Sequence, residues 1–250
     1  MHFNQITSLQ HPTVKLLVEL RKEASTRVKQ QEVLVVGKKL VLELGEHFSF
    51  KKVLFSGDPS TVSHLRSEEF LQVTDGILKK ITALTTPDGL AATLSLPQQK
   101  DLSKKNYVLV LDRISDPGNL GTLFRTAWAL GWEGIYLLPN TVDPFNEKAL
   151  RAAKGATFHM PFASLSQDEL VKLLAKEKQG FIADMHGKDF SKASIKPPLL
   201  LILSSEAHGC DPQIKKYASS LKIPMHHKAE SLNVAIAGAI LMQTLRGLHG

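Results

Sequence analysis

Cysteine is almost absent from this sequence, because its 250 residues include only Cys210. No intramolecular disulfide can form, which suits a reducing compartment. Long apolar runs are missing as well, and stretches such as 199–203 and 234–242 are far too short to span a bilayer. The first residues lack the basic start and apolar run of a signal peptide. We therefore expect a soluble, cytoplasmic protein without a membrane segment.

Several motifs of nucleotide binding and catalysis are also absent. No glycine-rich dinucleotide fingerprint follows a predicted strand, and neither a phosphate-binding loop nor a serine nucleophile elbow occurs. The glycine-rich first loop of the common, doubly wound methyltransferases is missing too. His208 and Cys210 suggest a metal, but neither they nor His226 and His227 complete a ligand set with zinc spacing. The sequence predicts no metal site.

Basic residues exceed acidic ones. Lys and Arg number 31 against 24 for Asp and Glu, which gives a net charge of +7 and a pI near 9.4. The excess is divided almost evenly, about +4 in residues 1–105 and +3 in residues 106–250. A surplus of this size is compatible with a polyanionic partner. No basic tail accounts for it, so contacts to RNA would use folded surfaces in both halves.

A polar stretch broken by Pro97 separates two patterned regions. We predict a first domain at 1–96, a linker at 97–106 and a second domain at 107–250. In the first domain, helices at 14–21 and 38–44 and short strands at 33–36, 53–55 and 71–73 predict a small α/β domain.

Strands and helices alternate more clearly in the second domain. Apolar runs predict strands at 108–111, 135–138, 181–183, 199–203 and 221–223. Helices are predicted at 120–130, 146–154, 170–178 and 232–246, with a short one opened by Asp211 and Pro212. This alternation indicates a mostly parallel sheet covered on both faces. Ligands of such sheets bind in loops beyond the carboxyl ends of the strands.

Polar clusters occupy three of those loops. The first, 112–121, leads into a helix that carries Arg125 and is capped by Asn119 or Asp116; a capped turn with a solvated arginine is the alternative. The second, 204–212, places Glu206 directly after a strand, where it either contacts a ligand or belongs to a surface turn. The third, 223–239, has Ser231 as a plausible helix cap, Asn233 in the first turn, and then small residues typical of a closely packed helix.

Taken in order, these loops resemble the SpoU family of the SPOUT superfamily of RNA ribose methyltransferases. The first matching motif is Asp116-Pro117-Gly118-Asn119-Leu120-Gly121 with Arg125 and Gly131. The second is Leu203-Ser204-Ser205-Glu206-Ala207-His208-Gly209, and the third is Ile223-Pro224-Met225 with Ser231-Leu232-Asn233-Val234. Segments 143–151 and 155–156 match as well. One motif alone would be weak, but the ordered set is strong evidence.

The N-terminal region is similar to the accessory substrate-binding domain of the same family. The similarity lies in residues 6–12, 14–15, 33–37 and 40–41. It implies a small, ribosomal-protein-like α/β domain that grips RNA. The candidate RNA contacts in this domain are Lys15, Arg21, Lys38 and Lys39.

The resemblance implies S-adenosylmethionine as cofactor, a trefoil knot in the catalytic domain and a homodimer with the active site at its interface. The implied catalytic residues are Asn119, Arg125, Glu206, Ser231 and Asn233. The implied cofactor-binding residues are Leu203, Ser204, Ser205, Glu206, Gly209, Ile223, Met225, Ser231 and Leu232. The methyl group of a sulfonium is already electrophilic, so no metal is needed.

Arg125 is often assigned as the base in this family, although a guanidinium resists deprotonation. The alternative is a clamp on the phosphate beside the target ribose, so Arg125 also counts as an RNA contact.

The chain departs from the family pattern at a few positions. Ser204 and Ala207 stand where the second motif usually has glycine, and Ala207 is expected to narrow the pocket or shift the loop. In the accessory domain, Val36 replaces an acidic residue, while Lys38 and Lys39 stand in for a basic residue that normally follows.

Ribosomal RNA, of the 23S type, is the predicted substrate, because a ribosomal-protein-like domain suits folded rRNA. Two alternatives remain open from the sequence. One is ribose methylation of transfer RNA, and the other is a non-catalytic RNA-binding or ribosome-assembly protein.

Overall fold

A computed structural model describes residues 3–176, 178–189, 195–205 and 209–247. Contacts divide the chain into two compact units. The first unit comprises Met1–Pro97 and Phe145–Gly155, and the second comprises Gln98–Pro144 and Ala156–Gly250. The predicted catalytic domain, 107–250, therefore includes one segment that packs with the first unit.

The secondary structure alternates along the whole chain. Up to residue 97 the elements are β1 Asn4–Ile6, α1 Pro12–Lys22, α2 Ala24–Gln30, β2 Glu32–Val36, α3 Lys38–Gly45, β3 Phe50–Phe55, β4 Ser67–Val73, α4 Asp75–Thr82 and β5 Leu90–Ser95. After it they are β6 Tyr107–Asp112, α5 Pro117–Ala129, β7 Gly134–Leu137, α6 Glu147–Ala153, α7 Ala156–His159, β8 Phe162–Ser164, α8 Gln167–Lys176, β9 Gln179–Asp189, β10 Leu199–Ser204, α9 Pro212–Lys215, β11 Ala218–Lys222 and α10 Val234–Gly247. No helix in the described ranges is long and apolar enough to cross a membrane.

The first unit is built on a mixed sheet with the strand order β1-β4-β3-β5-β2. Strands β1, β4 and β3 are parallel, whereas β5 pairs antiparallel with both β3 and β2. The helical spacing of Val14, Leu17 and Leu20 buries one face of α1 in the core shared with α4 and the sheet. The predicted small α/β domain is confirmed, although β1, α2, α4 and β5 were not predicted.

Helix α6 completes this unit from a distant part of the sequence. Phe145 and Leu150 are buried, and together with residues of β2 and α3 they line a narrow cleft. The Arg21 Nη1 atom lies 3.3 Å from Oε2 of Glu147. After α6 the chain turns through Lys154 and Gly155, whose φ angles are 49° and 87°. The segment is thus a structural part of the first unit.

The second unit is built on a sheet with the strand order β11-β9-β10-β6-β7-β8, and all strand pairs among its described residues are parallel. Its central strands, β6 and β10, are nearly continuous apolar runs, as expected for strands covered on both faces. The predicted parallel sheet is confirmed. The register pairs Ser204 with Asp112, so polar residues meet where these two strands end.

Helices α5 and α10 pack against each other and the sheet. A Cβ on Gly238 would lie 2.6 Å from Cδ1 of Leu203 and 2.7 Å from Cδ2 of Leu123. A side chain at this position would force Leu203 and Leu123 to shift, so glycine favours the close approach of α10 to both α5 and β10. The close packing expected from the small residues of this helix is confirmed.

The predicted linker is ordered against the second unit. Leu102 is buried, and the backbone N–H of Lys100 donates to the Phe162 carbonyl at 2.9 Å. The buried ammonium of Lys178 donates to the carbonyls of Leu102 and Lys105. These contacts fix the stretch through which the chain enters the parallel sheet.

Candidate active site

A cavity of about 250 Å³ lies in the second unit beside the carboxyl end of β10. Its walls come from β9, β10, α9, the segment after β11 and the first turns of α10. All of the predicted cofactor residues except Glu206 line it, namely Leu203, Ser204, Ser205, Gly209, Ile223, Met225, Ser231 and Leu232. Glu206 and Ala207 lie outside the described residues. Three segments that are distant in the sequence thus enclose one space.

The sequence did not identify the wall formed by β9 and α9. Asp184 of β9 and Lys215 of α9 line the cavity, and the Lys215 Nζ atom donates to Oδ2 of Asp184 at 2.9 Å. The backbone N–H of His186 and the Lys215 ammonium hold the pKa of Asp184 below its usual value, despite partial burial. Asp184 directly follows the predicted strand 181–183, so the rule that ligands gather at strand ends could have indicated it.

A second polar group joins the start of α5 to the start of α10. Oδ1 of Asp116 accepts from the Asn119 N–H at 2.7 Å, which makes Asp116 the cap of α5. The Asn119 side chain is therefore free to accept from Nδ2 of Asn233 at 3.0 Å. This bond joins the first and third motifs.

Asn233 also caps α10. Its Oδ1 accepts from the backbone N–H groups of Ala235 and Ile236 at 2.9 and 3.4 Å. The expectation that Ser231 caps this helix is wrong, because α10 begins at Val234 and Ser231 precedes the capping position. Ser231 instead lines the cavity.

Arg125 lies on the exposed face of α5. Within the described part of the chain its guanidinium makes no hydrogen bond or ion pair. Neither Arg125, Asn119 nor Asn233 lines the cavity, although Ser231, Leu232 and Val234 around Asn233 do. The structure thus brings Asn119 and Asn233 together and leaves the Arg125 guanidinium free to meet a ligand.

The candidate RNA contacts of the first unit differ in exposure. Lys15, Lys38 and Lys39 are exposed. The Arg21 side chain is less accessible to RNA, because it is only 11% exposed and pairs with Glu147. Arg21 therefore stabilises the packing of α6, and the RNA role predicted for it does not fit its surroundings.

No cluster of three or more metal-ligating side chains occurs in the described ranges. The rings of His226 and His227 lie against each other, with centroids 4.3 Å apart. Cys210 lines the cavity, and burial raises the pKa of its thiol to about 11.

We expect Cys210 to react slowly with iodoacetamide at pH 8, because the thiolate is the nucleophile and a pKa near 11 leaves little of it. The rate should be about a hundredfold below that of the urea-unfolded chain and should rise with pH up to about 11. Mass spectrometry of the labelled protein measures both rates, and the sequence has no other cysteine that could be labelled. A plateau below pH 10 would contradict this expectation.

Comparison with known proteins agrees with the motifs. The model of the SpoU rRNA methylase family matches residues 106–243. The 23S rRNA (guanosine(2553)-2′-O)-methyltransferase RlmP of Bacillus subtilis is 33% identical over 97% of this chain and 99% of its own length. The AdoMet-bound rRNA methyltransferase from Sinorhizobium meliloti superposes with a TM-score of 0.86 at 26% identity, covering 99% and 98% of the two chains. A solved structure of an RNA 2′-O ribose methyltransferase superposes with a TM-score of 0.80 at 25% identity, covering 96% of this chain and 97% of the other.

Proposed function

Because this chain belongs to the SpoU rRNA methylase family, we propose that it transfers a methyl group from S-adenosylmethionine to a ribose 2′-hydroxyl of 23S-type ribosomal RNA. The observation that carries the proposal is the Asn119–Asn233 bond beside the cavity, since it joins the first and third motifs at one place. The similarity to RlmP spans nearly all of both chains, the accessory region included. This favours rRNA over transfer RNA as the substrate.

The cavity fits S-adenosylmethionine. Its apolar residues suit the adenine ring. The Asp184 carboxylate, which accepts from Lys215, can also accept hydrogen bonds from polar groups of the ligand. Gly209 has a φ of 61°, and a Cβ there would meet no described atom within 4 Å, so its main chain borders open space. Main-chain groups of β10 and of the segment before α10 would hold the cofactor, and the cofactor supplies an electrophilic methyl group.

The side chains outside the cavity would position the RNA. A guanidinium can hold a phosphate through two parallel hydrogen bonds, and Arg125 would do so beside the target ribose. Arg125 is a poor candidate for the base, because a guanidinium resists deprotonation. Asn119 and Asn233 fix each other and so define one edge of the ribose site. Holding the hydroxyl in line with the methyl group contributes several kcal/mol to catalysis.

Further features of the family belong to this proposal. We propose that the second unit contains a trefoil knot, that the first unit grips RNA and that the protein works in the cytoplasm, where ribosomes are assembled. We also propose a homodimer. Ile236 and Ile240, one turn apart on α10, are 52% and 36% exposed, and Trp128 on the adjacent α5 is 48% exposed. Large apolar residues exposed on neighbouring helices are typical of an interface.

Ile236→Asp is expected to convert a dimer into monomers, because it would place a charge on a desolvated surface. Light scattering across a concentration series measures the mass. Tyr217→Asp is the matched control, since Tyr217 is 48% exposed and lies on neither helix. An unchanged mass for Ile236→Asp would contradict the assignment of this surface.

A triple variant, Lys15→Ala, Lys38→Ala and Lys39→Ala, is expected to bind RNA more weakly and with less dependence on salt. Each phosphate contact adds about 0.7–0.9 to the slope of log K against log salt, so the slope should fall by roughly 2–3. Replacing Lys104, Lys172 and Lys176 removes the same charge from the second unit. Equal losses of RNA affinity in both variants would contradict the proposal that the first unit makes most of the contacts with RNA.

The proposed function is tested by mapping 2′-O-methyl groups in total RNA from cells with and without the protein. One ribose of the large ribosomal RNA should lose its methyl group in the deletion strain and regain it on complementation. A change in transfer RNA alone would identify the other substrate. Binding of RNA without any detectable binding of S-adenosylmethionine would instead indicate a non-catalytic assembly factor.

A further inference from the structure

Arg113 links the carboxyl end of β6 to Gly209, which follows β10 and lines the cavity. It follows β6 directly and adopts a φ of 56°, in the left-handed region that residues other than glycine seldom occupy. Its Nε atom donates to Oδ1 of Asp112 at 3.0 Å, and its Nη2 atom donates to Oδ2 at 2.9 Å. Nη2 also donates to the carbonyl of Gly209 at 2.7 Å. One guanidinium thus bridges a buried carboxylate and the chain after β10.

These bonds hold both ends of the segment between Ser205 and Gly209. The Ser205 N–H donates to the Asp112 carbonyl at 3.0 Å, so the near end is fixed to the main chain of β6. The Gly209 N–H donates to the Ser205 carbonyl at 2.9 Å, and Arg113 holds the Gly209 carbonyl. Ser205 and Gly209 both line the cavity, whereas Arg113 does not.

We propose that Arg113 is a positioning residue for the cofactor, which fixes Gly209 at the cavity wall through its bridge to Asp112. This inference rests on the proposed function, because it takes the cavity as the site of S-adenosylmethionine. A charge-assisted bond to a carbonyl beside a ligand site restricts the main chain there before the ligand arrives, and this lowers the entropic cost of binding. Arg113 contributes to binding of the cofactor, and Arg125 to placement of the RNA.

The side chain must be arginine for geometric reasons. A guanidinium is planar and directs its N–H groups along fixed directions, so it can serve both carboxylate oxygens and a carbonyl at once. A lysine ammonium keeps the charge but cannot reproduce the two parallel bonds to Asp112. Arg113→Lys should therefore retain only part of the affinity for the cofactor.

The test compares three variants of the full-length protein. Arg113→Gly removes the bridge and at the same time relieves the left-handed backbone. Arg113→Lys keeps the charge. Lys154→Gly is the matched control, because Lys154 is a basic residue with a φ of 49° that belongs to the first unit and not to the cavity. The readouts are the Kd of S-adenosylmethionine by calorimetry, its KM, kcat at saturating cofactor and the melting temperature.

We expect Arg113→Gly to raise the Kd and KM for S-adenosylmethionine about tenfold, the size expected for one charge-assisted hydrogen bond. The kcat should stay within about twofold, because the RNA site is untouched. Arg113→Lys should lie between this variant and the wild type, and Lys154→Gly should match the wild type.

An unchanged Kd in Arg113→Gly, or a loss confined to kcat, would overturn the role of Arg113. If Arg113→Gly does not fold, Arg113→Lys decides the question on its Kd and KM alone. Failure of the wild type to bind S-adenosylmethionine would overturn the proposed function. That outcome is distinct from one in which the wild type binds the cofactor and Arg113→Gly binds it equally well.

Discussion

Arg125→Ala is expected to abolish methyl transfer, with a loss of about a thousandfold or more, or roughly 4 kcal/mol of transition-state stabilisation. The Kd of S-adenosylmethionine should stay within about twofold of the wild type, because Arg125 does not line the cavity. The physical reason is that the exposed guanidinium, which has no partner in the described residues, is free to hold the phosphate next to the reacting ribose. Single-turnover methylation of RNA transcripts measures the loss.

Two further variants sharpen this test. Arg125→Lys keeps the charge without the two parallel bonds, so a partial recovery supports a clamp on phosphate. Arg151→Ala removes another partly exposed arginine, one that lies on α6, and it should leave the rate of methyl transfer unchanged. Near-normal activity of Arg125→Ala would exclude both the clamp and the base.

Ala237→Phe is expected to weaken binding of S-adenosylmethionine about a hundredfold, or roughly 3 kcal/mol. Ala237 lies in the first turns of α10 and lines the cavity of about 250 Å³. A phenyl ring attached there would fill part of the proposed cofactor site. RNA affinity should be retained, since it derives mainly from contacts of basic side chains with phosphate. Calorimetry for the cofactor and filter binding for RNA separate the two effects.

The control for this experiment is Ala24→Phe, which adds the same ring at an exposed position of α2 in the first unit. A melting temperature close to that of the wild type shows that Ala237→Phe retains its packing. Full cofactor affinity in a folded Ala237→Phe protein would place the cofactor somewhere other than this cavity.

The sequence predicted the parallel sheet because its strands are apolar runs bounded by turn signals. It did not predict the full length of β9, which continues to Asp189 through residues without a strand pattern. Contact with β11 explains this extension. A Cβ on Gly187 would lie 2.5–2.6 Å from backbone atoms of Ser220 and Leu221, so glycine permits an approach that periodicity does not reveal.

The motifs likewise predicted the segments of the candidate site but not all of the contacts among them. The choice between Asp116 and Asn119 as the cap of α5 depends on hydrogen-bond geometry, which the sequence left open. The Asn233 side chain makes two contacts that the sequence did not predict. Its Oδ1 atom caps α10, and its Nδ2 atom donates to Asn119. The bond from Arg113 to Gly209 joins residues 96 positions apart, and no local pattern encodes such a distance.

The position of α6 in the first unit has a consequence for synthesis of the protein on the ribosome. A nascent chain that has emerged as far as residue 97 contains the five strands of the first sheet but not Phe145 and Leu150, which are buried in the finished unit. At elongation rates of about 5–20 residues per second, synthesis of residues 98–155 takes several seconds. During that interval the surface of β2 and α3 that α6 will cover stays open to chaperones. The same dependence affects chimeras: a first unit exchanged between relatives must bring residues 145–155 with it.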